Sequence, residues 1–179
     1  MAHYNSLMKK YFLKIFVLVF VLISAGIFIP SLSSADTNNA KEQRISLPIE
    51  RIKPGNFYYP AKRAWEKLRI KLIFSLEKKI DYRELLLKKR LSELKYIAEE
   101  KKLDVFENAS YRFSYEAGEL TNLIEKLGDD EKTRRYIEEF DKYVLVLPSF
   151  RDLYPANTSN WLLIQQNIDT LRFLQERLE

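Results

Sequence analysis

From Tyr59 onward, apolar positions recur at steps of three and four almost to the end of the chain, the spacing of amphipathic helices. Five helices are expected. The first, about 60–74, opens on Pro60 at a first-turn position, where a missing N–H does no harm. Ala61, Ala64, Trp65, Leu68 and Leu72 occupy one arc of about 100°, the width of a core-facing stripe. Ile70, Ile73 and Phe74 fall on the opposite side, so the C-terminal half is expected to be covered on two faces. The second helix, about 76–102, places Leu76, Ile80, Leu87, Leu91, Leu94 and Ala98 on one face, and at ~1.5 Å per residue extends roughly 40 Å.

The third helix has Asp104 and Glu107 at the spacing of a capping box. Its stripe runs Phe106, Ala109, Phe113, Ala117, Leu120, Ile124, Leu127, and Gly128 stands where a C-terminal stop belongs. The fourth, about 130–146, follows Asp129-Asp130 and carries Ile137, Phe140, Val144 and Leu147 ahead of Pro148; its end, "YVLVLP", also fits a short strand. A loop from Pro148 to Asn157 leads to a fifth helix, with cap candidates in "NTSN" and an apolar side of Trp161, Ile164, Ile168, Leu171, Leu174 and Leu178. The fold class is therefore all-α, an antiparallel helical bundle or extended helical hairpins.

The residues ahead of these helices read differently. Lys9, Lys10 and Lys14 precede the apolar run Ile15–Ile29, then Pro30 and the small residues Ser33 and Ala35. This is the pattern of a secretory signal peptide over residues 1–35, with cleavage between Ala35 and Asp36. Extended back to Tyr11, the run is also just long enough for an uncleaved anchor. Residues 36–57 are polar, with Pro48, Pro54 and Gly55, and read as a linker ending in a Pro-Gly-Asn turn. The helical domain then covers 58–179, with a hairpin core over 58–127 and additional helices over 128–179.

The export segment changes the charge argument. Without its three lysines, the 30 basic residues fall to 27 against 25 acidic ones, a net charge of +2. That is too little for a nucleic-acid face to be read from composition. Cysteine is absent, and His3, in the segment expected to be lost, is the only histidine. A mature chain so composed has no ordinary zinc site, no Ser-His-Asp relay and no imidazole base. No catalytic, metal-ligating or cofactor-binding residue is expected, and no cofactor.

The stretch "YPAKRAWEKLR", Tyr59 to Arg69, with Pro54 before it and "LEKK" and "KRLSE" after it, resembles a bacterial family known as domain of unknown function 5667. The pieces that carry the resemblance are Tyr59, Pro60, Lys62, Arg63, Trp65 and Glu66, then Arg90, Leu91 and Glu93, within roughly residues 54–125. The resemblance implies an exported helical bacterial protein and carries no known activity.

Trp65 lies inside the apolar arc with cations flanking it, so a core role is expected in preference to stacking on nucleic acid. Lys62 and Glu66, four apart, are spaced for a weak surface pair. Arg83 and Arg90 edge the apolar stripe of the second helix. Three roles are open to them, in this order: stems that cover the seam with charges at the rim, ion pairs from Arg90 to Glu66 or to a third-helix carboxylate, and a clamp for an anion. The expected role is a non-enzymatic interaction, scaffold or chaperone-like module outside the cytoplasm, with a membrane-tethered regulator or sensor as the alternative. Its partners would be proteins or other copies of the chain meeting through helices, not nucleic acid, with membrane contact only through the N-terminal segment. The mass of the protein isolated from cells separates cleavage from anchoring: a chain beginning at Asp36 is expected, and retention of residues 15–29 would establish the anchor.

Overall fold

A computed structural model of the protein describes residue 45 and residues 47–179. The segment 1–35 expected to be a signal peptide, with its apolar run 15–29, and residues 36–44 and 46 of the expected linker lie outside the described residues. Within the unit Gln43–Glu179, five helices follow one another: α1 Tyr59–Leu72, α2 Leu76–Glu99, α3 Leu103–Leu127, α4 Asp130–Arg151 and α5 Ser159–Leu178. No strand occurs among the described residues, and the all-α expectation holds.

Local chemistry explains most boundaries. Gly55 takes φ +90° in the Pro-Gly-Asn turn, and the Asn56 side chain accepts from the Tyr58 N–H ahead of Pro60. Ser75 caps α2 by accepting from the Lys78 N–H. Gly128 ends α3 in the left-handed region at φ +64°, where a side chain is strained. Asp129 then caps α4, accepting from the N–H groups of Glu131 and Lys132 at 3.1 and 3.0 Å.

Three boundaries differ from expectation. Asp104 is not a cap; α3 begins at Leu103, and Asp104 sits in the first turn, where its charge favours the helix N-terminus directly. The second helix stops at Glu99 because Lys101 turns to φ +50°, which folds α3 back within three residues. The fourth helix runs through Pro148 to Arg151, so "YVLVLP" is helical and the loop starts later. Pro148 removes only the hydrogen bond to the Val144 carbonyl, close to the helix end. Leu147 and Phe150, both buried, hold that last turn against the core.

α2 and α3 form one antiparallel hairpin, and α4 and α5 form another. The hairpins lie side by side, with α2 parallel to α4 and α3 parallel to α5. At one end Glu77 pairs with Lys132; at the other the Tyr154 hydroxyl donates to the Ala98 carbonyl. Along the second seam, Ser110 donates to the Leu163 carbonyl and Ser114 to Asn167, while Arg177 reaches Glu125. The shared core is the stripe read from the sequence: Leu87, Leu91 and Leu94 of α2, Phe106, Phe113 and Leu120 of α3, and Ile164, Ile168 and Leu171 of α5. α4 adds Phe140 and Leu147, with two tyrosines the periodicity passed over, Tyr136 and Tyr143. Their rings are buried while their hydroxyls donate to Glu84 and Glu139 at the edge.

α1 stands apart from this four-helix bundle. It runs back along α2 and packs chiefly on that helix. Its buried residues are Tyr59 and Glu66, while Ala61, Ala64, Trp65, Leu68 and Leu72 are exposed. The expectation that this stripe faces the core is overturned: the helix is docked charged side down.

Candidate functional site

The side of α1 that faces the bundle is set by the step of three and four through Tyr59, Lys62 and Glu66, with Arg63 beside it. The surface it meets on α2 carries Arg90 and Glu93, one turn apart. The Arg90 guanidinium is fully buried, at 0 % exposure. It donates to Glu93 Oε2 at 2.7 Å on its own helix and to Glu66 Oε2 on α1. Glu66 also accepts from Arg63 at 2.9 Å. Glu93 accepts from the Tyr59 hydroxyl at 2.8 Å and from Lys62 Nζ at 2.9 Å.

Two extensions enlarge this cluster. Lys62 continues to the Ile52 carbonyl at 3.1 Å and to Glu50 at 2.5 Å, and Glu50 also pairs with Lys89 of α2. The Pro48 carbonyl accepts from Ser92, and Lys53 lies over the Tyr96 ring. The segment before α1 is thereby laid along α2. Toward α3, Arg83 forks onto Glu116 at 2.5 Å and Glu119 at 2.8 Å, and Glu116 stands 3.9 Å from Arg63.

Charge states follow from this geometry. Burial alone would raise the Glu93 carboxyl, but Arg90 and Lys62 outweigh it and hold the group below its ordinary range. Burial pushes the Tyr59 hydroxyl up, and the Glu93 carboxylate pushes it further, so it stays protonated and donates. Burial works against the charged Arg90, but Glu93 and Glu66 more than compensate and move it upward. All three move away from neutrality, so none of them exchanges a proton near pH 7. Arg112 of α3 lies over the Tyr59 ring at 5.4 Å, and burial draws its guanidinium down. A cleft of about 480 Å³ opens beside the cluster between α1, α2 and α3. Arg63, Glu66, Arg83 and Glu116 line it together with Lys67, Lys71 and Lys79.

The residues singled out in the sequence sort into three places. Tyr59, Lys62, Arg63, Glu66, Arg90 and Glu93 converge on one network, and Arg83 joins it through Glu116. Leu91 belongs to the bundle core, and Pro60 to the exposed first turn. Trp65 lies outside both, 47 % exposed. The expected weak Lys62–Glu66 surface pair does not form, because each partner is claimed by α2. Arg90 is no seam-covering stem: its charge is inside, which is the ion-pair role ranked second. Glu116, Arg112 and Glu50 were missed. Glu116 carried a signal, since it lies three residues after Phe113 and four before Leu120, within the stripe of α3.

The buried pair makes two predictions. Arg90→Ala should cost about 3–5 kcal/mol by leaving Glu66 and Glu93 uncompensated, and Arg90→Lys should recover only part, since an ammonium cannot fork onto both carboxylates. Unchanged melting in both variants would remove the network from any structural role. The folded pKa of Glu93 is below its ordinary 4.5, so its contribution is present above pH 4.5 and lost as pH falls through the folded value. Stability measured against pH should therefore drop below 4.5. Glu93→Gln should lower stability at pH 7 and flatten that drop.

A family model described as Domain of unknown function (DUF5667) matches residues 51–148, which spans α1, α2, α3 and most of α4. Searches of curated proteins and of solved structures find no match. The match covers more than half of the chain and takes in every member of the charged network except Glu50, and the protein belongs to the DUF5667 family.

Proposed function

We propose that the protein is an exported, non-enzymatic interaction module of the bacterial cell envelope, and that its contact surface is the outward face of α1. The observation that carries this reading is the inversion of α1. An amphipathic helix on a soluble domain buries its apolar stripe; here Trp65, Leu68 and Leu72 face outward instead. Phe57 and Tyr58, exposed just before the helix, add apolar surface at its N-terminal end. A contiguous apolar surface of this kind marks a binding site in a soluble protein. The network beneath supports the reading, because it holds α1 by its charged side and leaves the apolar side available.

Export rests on the signal pattern of residues 1–35. A membrane-tethered regulatory or sensor domain is the second reading, favoured by the apolar run Ile15–Ile29 and its extension to Tyr11. Under both readings the same face of α1 makes the contact. A photoreactive amino acid in place of Leu68 tests this in growing cells, with the same substitution at exposed Arg134 of α4 as the control. Adducts to protein or lipid are expected from position 68 and not from 134. Absence of adducts from 68, in a protein that melts like the wild type, would overturn the proposal.

A further inference from the structure

The cations of α1 fall into two groups. Those on the buried side, Lys62 and Arg63, are paired with carboxylates. Those beside the outward stripe, Lys67, Arg69 and Lys71, are exposed and make no ion pair with a described residue. At 100° per residue Lys67 and Lys71 border the apolar arc on one side and Arg69 on the other. The Arg69 guanidinium also lies over the Tyr82 ring of α2, 4.7 Å from its centroid, without a carboxylate to offset its charge. The helix thus presents a convex apolar ridge between two rims of positive charge that no described carboxylate pairs.

This arrangement selects among occupants. A second copy docked α1 against α1 would bring cation rim to cation rim, which opposes association. A protein partner would need a groove shaped to the ridge and acidic on both of its lips. An anionic lipid surface supplies negative charge on both sides and an apolar interior between, with no fixed shape to match. Trp65 and Tyr58 are also the residue types that settle where headgroups meet hydrocarbon. No helix among the described residues is long and apolar enough to cross a membrane, so contact through α1 is a surface contact.

We propose that α1 is an interfacial helix, which lays Trp65, Leu68 and Leu72 into an anionic lipid surface while Lys67, Arg69 and Lys71 engage the headgroup phosphates. The inference rests on the reading of α1 as the contact surface and names what it contacts. It also places membrane contact on the folded domain, beyond the N-terminal segment to which the sequence had confined it.

Trp161→Phe leaves Trp65 as the only tryptophan of the full chain, prepared as the cell produces it. Its emission should shift to the blue, and its quenching by acrylamide should fall, on phosphatidylglycerol vesicles but not on phosphatidylcholine vesicles. Adding Lys67→Gln and Lys71→Gln should weaken partitioning to the anionic vesicles roughly five- to sixfold per cation, about 30-fold together. Arg134→Gln should leave it unchanged. Three results would overturn the inference: a chain bound to vesicles with Trp65 still open to acrylamide, an equal shift on both lipids, or a concentration-dependent shift without vesicles. The last identifies a second copy as the occupant and leaves the contact-surface reading standing. That reading itself falls only if position 68 gives no adduct in cells.

Discussion

A guanidinium taken wholly out of water dictates how the N-terminal half of this domain is assembled. Leaving Arg90 unpaired would cost several kcal/mol, more than burying any single side chain of α1 could return. Glu93, one turn further along α2, supplies one carboxylate. The other comes from Glu66, and Glu66 reaches Arg90 only if α1 lies with its charged side down. The segment before α1 follows through Lys62 and Glu50, and α3 follows through Glu116. The outward stripe of Trp65, Leu68 and Leu72 is a consequence of that docking.

The bundle underneath uses polar side chains for a related purpose. Apolar layers alone would tolerate displacement of one hairpin along the other by a heptad, since each stripe repeats. Polar bonds across the two parallel seams remove that freedom. Glu84 gathers Lys88 of its own helix and both Arg135 and Tyr136 of α4. Asn167, buried in α5, meets Ser114 of α3, while within the second hairpin Gln175 of α5 reaches Asp141 and the Ile137 carbonyl of α4. These are bonds whose loss leaves a half-buried group unsatisfied, which is a penalty for the wrong register as well as a small gain for the right one.

Rigidity and presentation are thus divided between two parts of one domain. α2 to α5 share a continuous apolar core and need nothing from α1 to close it. α1 contributes almost no apolar burial and is held by directional charge contacts on one side only. An element held in this way can display hydrophobic side chains without losing its position, which a helix anchored by its own apolar stripe cannot do.

The helices and their order were legible because the signals are local. The stripe of α3 from Phe106 to Ile124, the left-handed stop at Gly128 and the cap at Asp129 depend on backbone geometry within a turn or two. Pro148 misled because its cost is also local, while the burial of Leu147 and Phe150 that offsets it is not. The stretch "KRAWEK" shows the limit most clearly. Read alone, α1 has a charged stripe and an apolar stripe, and the ordinary rule assigns the apolar one to the core. By itself, the sequence determined an all-α domain, five helices and the residues of a compact motif. Only the tertiary structure decided which stripe of α1 turns inward, because that depends on α2 presenting a buried arginine that one carboxylate on its own helix does not satisfy.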